Sequence, residues 1–219
     1  MPFTLSPSSL SLFKDCPRCF WLQEVKQQKR PAFKYPSLPS GIDLALKKRF
    51  DYFREREKLP PELQKLDGFK LFDSPFLALW RNGRMGIRCR DEQGNMLRGA
   101  VDDVLIREGE LAVLEYATRG FPLREDTPWL YQDQLNLYAY LLQKNGHKVS
   151  SGAYLLFYYP KEVSWQGDIW FHKRVYQLKV SMADAEKLWQ KALQVLGGER
   201  PGSSPGCGFC RWKEGQVVV

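Results

Sequence analysis

A chain of 219 residues, 43% apolar and 26% charged, is long enough to bury a sizeable core and has the make-up of a globular protein rather than of a disordered or fibrous one. No apolar run approaches a membrane span, and Met-Pro-Phe-Thr-Leu-Ser at the N-terminus lacks a signal peptide's basic start and apolar stretch, so a cytoplasmic location and no membrane partner are expected. The net charge of +8 suits a polyanionic partner such as nucleic acid.

Residues 6–22 open with capping serines and place Leu10, Phe13, Phe20 and Leu22 on a partly apolar face, which predicts a short helix interrupted or ended at Pro17. Residues 30–40 are proline-rich and predict a crossing loop. Gly41 to Lys58 reads as a helix, with Ile42, Leu44, Leu46, Phe50 and Phe53 on its apolar side and Lys47, Lys48, Arg49, Arg54 and Arg56 on a solvated one. Asp43, near its start, is accounted for by the helix dipole, with a metal ligand as the alternative. Pro60-Pro61 is turn-like, and the aromatic-rich residues 68–83 give no clear period. Met85 to Arg90 and Met96 to Arg107 read as strands split at Gln93-Gly94-Asn95. With Leu111 to Glu115, reached through the turn at Glu108-Gly109, they predict a three-stranded antiparallel meander. Residues 126–145 predict a helix that opens at Asp126 or Thr127, carries Leu130, Leu135, Leu137, Tyr138, Leu141 and Leu142, and closes at Asn145-Gly146. Ala153 to Tyr159 is a continuous apolar run typical of a strand covered on both faces; a strand at Trp170 to Val180 and a helix at Met182 to Leu196 follow. The order of elements predicts an α/β fold, a central mixed β-sheet flanked by helices.

Two carboxylates stand among residues that should be buried: Asp102 in the first strand of the 98–120 hairpin and Glu115 at the end of the second. A buried carboxylate is costly unless a cation or a hydrogen-bond network compensates it, so two on neighbouring strands point to a divalent metal between them. The alternative is a pair of ordinary acids at the rim of a sheet. Gln134 and Tyr138, four apart, share a helix face that would turn back toward the hairpin, although core packing also accounts for Tyr138.

Gly99-Ala-Val-Asp102, then a hairpin, then Glu115-Tyr-Ala-Thr-Arg-Gly120, and Gln134-Leu-Asn-Leu-Tyr138 on the next helix resemble the PD-(D/E)XK nuclease superfamily, in particular its RecB-like branch. That branch includes the iron-sulfur nucleases of CRISPR adaptation and of AddAB, and the Ser-x-Ser-x-Leu-x-x-Phe-x-x-Cys-Pro-Arg-x-Phe phrasing near the N-terminus is similar to theirs. The resemblance implies a restriction-endonuclease-like core and a metal-dependent DNA nuclease, an exonuclease on single strands or ends, serving repair, recombination or defence beside protein partners. It implies that Asp102, Glu115 and the backbone carbonyl of Tyr116 hold Mg²⁺ or Mn²⁺, that Gln134 positions the catalytic groups, and that Tyr138 contacts DNA or the site. Phe121, Trp129 and Tyr131 are candidates for stacking on unpaired bases or for the core. The pattern expects lysine where this chain has Ala117, so a chain inactive or very slow is expected. Either a lysine was replaced deliberately or the protein is a naturally non-cleaving nucleic-acid-binding subunit; the otherwise intact signature favours the former. The branch's histidine on the 41–58 helix is also missing here.

Four of the five cysteines form two pairs, Cys16-Pro-Arg-Cys19 and Cys207-Gly-Phe-Cys210, a spacing that signals metal binding where disulfides are disfavoured. Four thiolates suit a [4Fe-4S] cluster or structural Zn²⁺. The resembled nucleases hold their cluster through one N-terminal and three C-terminal cysteines, whereas the split here is two and two. The cluster is the expectation and zinc the alternative. Cys89 reads as a small core residue. Residues 1–219 are expected to form a single nuclease-like domain, with 41–196 as catalytic core and 1–30 with 197–219 as the cysteine lobe. A plain zinc-ribbon adaptor would leave Asp102, Glu115 and Gln134 without a purpose.

Overall fold

In the computed structural model of the chain, which describes residues 2–31 and 37–213, the first helix begins at a reciprocal cap. The Ser6 hydroxyl accepts from the Ser9 amide at 3.3 Å, and the Ser9 hydroxyl accepts from the Ser6 amide at 2.7 Å. Behind a two-residue strand, β1 (Thr4–Leu5), this starts α1 (Pro7–Asp15). Cys16 is extended, and Pro17, which has no amide proton to leave unpaired, starts α2 (Pro17–Lys26), so the chain breaks at the expected proline and becomes helical again after it.

The crossing loop expected over 30–40 is shorter than that range. Residues 32–36 lie outside the described residues, and α3 (Ser37–Arg54) is already helical by Ser37, with Pro39 tolerated in its first turn. The helix stops before Lys58 because Glu57 adopts a left-handed conformation (φ 51°). The Lys58 amide then reaches the Phe53 carbonyl at 3.0 Å and the Glu57 amide reaches that of Arg54 at 2.9 Å, the Schellman closure usually given to glycine. Its faces also differ from the expected division. Leu46 and Phe50 are buried, but Leu44 is exposed, while Arg54 is buried.

A 3-10 turn (Pro61–Leu63) and a short strand, β2 (Lys70–Leu71), lead to α4 (Pro75–Trp80), which gives the aromatic segment its form. The next strands correct the expected meander. Met96 to Arg107 is two strands, not one: β3 (Ile87–Arg90) pairs antiparallel with β4 (Met96–Gly99) in a small sheet ordered β1-β4-β3, and the chain then bends at residues 100–102 into a second sheet. That sheet contains β5 (Asp103–Arg107) and β6 (Glu110–Thr118), joined as expected at Glu108-Gly109. Both turn residues have positive φ (51° and 79°), the twist that a tight two-residue hairpin needs.

A 3-10 segment (Thr127–Tyr131) precedes α5 (Gln132–Lys144), so the expected helix starts later and Leu130 remains exposed. The crossover returns to β7 (Gly152–Val163), parallel to β6 and buried without a break from Gly152 to Tyr158. The antiparallel β8 (Ile169–Lys179) then completes the order β2-β5-β6-β7-β8, followed by α6 (Met182–Gly197) and α7 (Gly208–Lys213). The mixed sheet flanked by helices is the restriction-endonuclease-like arrangement expected. Alternation along β6 divides the core. Val113 and Ala117 pack with Leu10, Leu135, Phe157 and Trp189 on one face; Ala112, Leu114 and Tyr116 pack with Phe50 and Leu63 on the other. Cys89 is partly buried against the first cluster, and burial pushes its thiol up to about 11. Among the described residues, no helix is long and apolar enough to cross a membrane.

Candidate active site

The bend between β4 and β5 creates the site. The Val101 amide donates to the Trp80 carbonyl at 3.2 Å and Arg81 Nε donates to the Asp102 carbonyl at 2.8 Å, so ladder pairing stops and Asp102 stands just ahead of β5 instead of inside it. Freed from the ladder, its carboxylate turns to the neighbouring strand. Asp102 Oδ2 accepts the Tyr116 amide at 3.0 Å, while the Asp102 amide donates to Glu115 Oε1 at 3.2 Å. On α5, Gln134 Nε2 donates to Glu115 Oε2 at 3.0 Å and to the Tyr138 hydroxyl at 3.3 Å. Tyr138 packs on bare backbone. A Cβ at Gly99 would lie 2.5 Å from its ring, which explains the glycine three residues before Asp102.

Of the residues singled out in the sequence, Asp102, Glu115, Gln134 and Tyr138 are thus brought together, and Tyr116 supplies its amide. Ala117, also on β6, is buried among apolar neighbours in register with Phe157 and offers no amine. Two further groups arrive from α3. Lys47 Nζ lies 2.8 Å from Asp43 Oδ2 and 2.9 Å from Asp102 Oδ1. This corrects the assignment of Lys47 to a solvated face. Asp43 is also well inside α3 rather than at its first residues, so the dipole account of it lapses. The four-residue step from Asp43 to Lys47 was the sequence signal available for this pair. Asp43, Asp102, Glu115, Tyr116, Gln134 and Tyr138 all line one cleft of about 570 Å³.

Burial first, and then the Asp102 charge, hold the Glu115 carboxyl well above the usual carboxylate range. Asp43 is raised for the same two reasons, against the pull of Lys47. Burial alone would depress Lys47, but the carboxylates of Asp102 and Asp43 outweigh it and its pKa rises. For Glu115 the folded pKa exceeds the unfolded one, so the metal-free fold is favoured while Glu115 stays neutral and loses that stability as pH rises through the folded value. Glu115→Gln, which is neutral at every pH, is expected to raise the melting temperature of metal-free protein at pH 8 and to flatten its dependence on pH. Thermal unfolding from pH 5 to 9 measures this; equal curves for both proteins would refute it.

A second shell of charge lies behind Asp102. Asp103, fully buried, accepts from Arg54 Nη2 at 2.5 Å, from Arg81 Nη2 at 2.6 Å and from the Tyr116 hydroxyl at 2.6 Å. Arg81 Nε, on the same guanidinium, holds the Asp102 carbonyl, so the position of the site is tied to this network. Arg54 is thus not on the solvated face expected of it, and Asp103 and Arg81 join the site as residues without a motif of their own. The available signal was the pair Asp102-Asp103, since adjacent strand residues face opposite ways and both cannot be at a solvated rim.

The acids supply the hard oxygen donors that Mg²⁺ or Mn²⁺ prefers. With Lys47 they sum to −2 when all are ionised, a charge that one divalent cation balances. The cysteines form a separate and tighter group. Among the described residues, Cys16, Cys19, Cys207 and Cys210 are the only set of three or more candidate ligands whose donor atoms all lie within 4.8 Å, and all four are buried. Sulfur separations are 3.8 Å for Cys16–Cys210, 3.6 Å for Cys19–Cys207 and 3.5 Å for Cys19–Cys210. Arg30 Nη2, 3.5 Å from Cys207 Sγ, offsets part of the thiolate charge. Burial raises Cys19 and Cys210, whereas for Cys16 hydrogen bonds from the Ser204 and Cys19 backbone overcome burial and bring it to about 6. The four thiols therefore cluster at a metal-site distance where the start of α2 meets the start of α7, as the cysteine spacing predicted.

A search of curated proteins returns no match to the chain. The family model of the PD-(D/E)XK nuclease superfamily matches residues 30–214, a span that contains the cleft, its acids and the second cysteine pair but not the first. With more than half of the chain matched, the chain belongs to the PD-(D/E)XK nuclease superfamily, a membership that suggests metal-dependent nuclease activity.

Proposed function

We propose that this chain is a metal-dependent deoxyribonuclease that hydrolyses phosphodiester bonds at single-stranded DNA or DNA ends, as an exonuclease in repair, recombination or defence. The observation that carries this is the mutual hold of Asp102 and Glu115 across the hairpin, with Gln134 fixing the second oxygen of Glu115. Asp102, Glu115, the Tyr116 carbonyl and Asp43 would hold Mg²⁺ or Mn²⁺. Such an ion polarises the scissile phosphate, lowers the pKa of a bound water and offsets charge on the departing oxygen. Gln134 keeps Glu115 oriented, and Tyr138 closes the apolar side of the cleft. Phe121 and Trp129, 82% and 64% exposed, support unpaired bases as the substrate, because exposed aromatic side chains can stack on them. Partner proteins and a cytoplasmic location follow the same reading, the latter because a four-thiolate metal site suits a reducing compartment.

For the cysteine site we propose one tetrahedral ion of the zinc type rather than the [4Fe-4S] cluster. Zinc–sulfur bonds of about 2.3 Å set tetrahedron edges at about 3.8 Å, and three sulfur separations of 3.5–3.8 Å, with all four sulfurs within 4.8 Å of one another, support that size. A four-iron cluster seats each thiolate on a different iron and needs a wider cage.

Single-stranded DNA with Mn²⁺ tests the nuclease reading. Ala117→Lys is expected to digest it, and adding Asp102→Ala to that variant is expected to lower the rate by about 10³-fold or more, as loss of a group that anchors catalysis does. An Ala117→Lys protein that folds and binds Mn²⁺, yet leaves every DNA substrate uncut while still binding it, would favour a non-cleaving subunit, the reading that Ala117 itself supports.

A further inference from the structure

Lys47 has no need to be where it is for helix formation. A lysine on an amphipathic helix gains rotamer freedom by reaching into water, and ordering one costs up to about 2 kcal/mol. Its side chain is nevertheless only 19% exposed and is held between two carboxylates of the cleft. Ala117, the motif's lysine position, is packed into the core between Tyr116 and Thr118, two residues that line the same cleft. We infer that Lys47 supplies, from α3, the ammonium that the pattern would place on β6, and that this chain therefore cleaves with Ala117 in place.

The inference rests on the nuclease reading and deepens it. The ammonium is carried by a four-carbon stem with three rotatable donors, so Lys47 can serve Asp102 in the free chain and a phosphate oxygen or the attacking water in the complex. In the hydrolysis the water oxygen bonds to phosphorus as the bridging P–O bond breaks, and the water's proton passes through solvent to the departing oxygen. Lys47 gains and loses no proton overall; it holds the water in line and offsets charge that grows on the phosphorus oxygens. The charge count agrees. Without Lys47 the three acids would exceed the charge of one divalent cation, and the carboxylates would repel one another in a partly buried cleft.

Four proteins decide the matter: the unaltered chain, Lys47→Met, Ala117→Lys and the double variant. Each is assayed for Mn²⁺-dependent cleavage of single-stranded DNA and for Mn²⁺ affinity by calorimetry. Methionine keeps the volume of the stem, and the double variant guards against a Lys47→Met protein that merely folds poorly. The unaltered chain is expected to cut. Lys47→Met is expected to lose about 10²–10³-fold in rate, as removal of one transition-state donor does, with Mn²⁺ still bound. The double variant, with its amine returned to β6, is expected to recover to within about tenfold, a rescue that a purely structural lysine would not show. Cleavage by Lys47→Met at the unaltered rate, or a double variant as silent as Lys47→Met, would overturn the inference. A silent unaltered chain beside an active Ala117→Lys would overturn it too and leave the nuclease reading standing. Silence of all four would remove both.

Discussion

Asp103→Ala is expected to destabilise the protein by about 3–5 kcal/mol, the usual cost of removing one partner from a buried charge network. Asp103 has no exposure to water, and its two oxygens take hydrogen bonds from Arg54, Arg81 and the Tyr116 phenol. Among the described residues, deleting it leaves the two guanidinium groups paired with Asp51 alone, whose side chain is 46% exposed. The screened pair cannot replace the buried one. Because a domain's whole stability is about 5–15 kcal/mol, the variant should melt about 6–20 °C lower. Asp103→Asn keeps acceptor and shape but loses the charge, so it should fall between the two. Urea unfolding followed by tryptophan fluorescence gives the comparison, and an Asp103→Ala midpoint within about 0.5 kcal/mol of the parent, the range typical of surface changes, would show that the network carries no weight. The site should suffer even where the variant stays folded. Arg81 fixes the Asp102 carbonyl and ends on Asp103, so Mn²⁺ affinity in the cleft should fall as well.

What could be inferred from residues alone was local. The turn at Glu108-Gly109, the stop at Asn145-Gly146 and the apolar run of β7 each declare themselves within a few residues, and each lies where expected. The meeting of Asp102 with Glu115 was also within reach, because one hairpin joins them. The failures came where tertiary structure overrode a surface rule. Lys47 and Arg54 obey the helical period that puts charge in water, yet both turn inward, because Asp43, Asp102 and Asp103 make buried positions for cations. Met96 to Arg107 keeps strand composition throughout, and nothing in its alternation says that the chain leaves one sheet at Gly99 and joins another at Asp103. That bend is set by hydrogen bonds to Trp80 and Arg81, about twenty residues away in sequence, and it is also what frees the Asp102 carboxylate. The part of the fold hardest to foresee and the part that builds the cleft are therefore the same.

Stripping the metal from the four cysteines is expected to lower the melting temperature by about 10–20 °C. A metal held there would tie Cys16 and Cys19 to Cys207 and Cys210, partners 188 to 194 residues apart, and closing a loop of that length restricts the unfolded chain by about 5 kcal/mol on the chain-entropy account. Among the described residues, the apolar partners of this cluster are Leu12 and Phe209, a small packing contribution beside that constraint. Removal should raise hydrogen exchange in α1, α2 and α7 while β5 to β7 stay protected, because those strands hold the main core. The effect should reach the cleft. Ser6, Ser8 and Ser11 of the capped first helix line a second opening, of about 480 Å³, that shares Ala100, Gln134 and Tyr138 with the cleft of the acids, so freeing α1 should weaken binding of a DNA strand lying across both. Elemental analysis distinguishes one zinc from four irons per chain, and iron would also colour the protein. Cys89→Ser, outside the cluster, should leave metal content unchanged. A chain that gives up its metal completely and melts at the same temperature would show that α2 and α7 are held by packing alone.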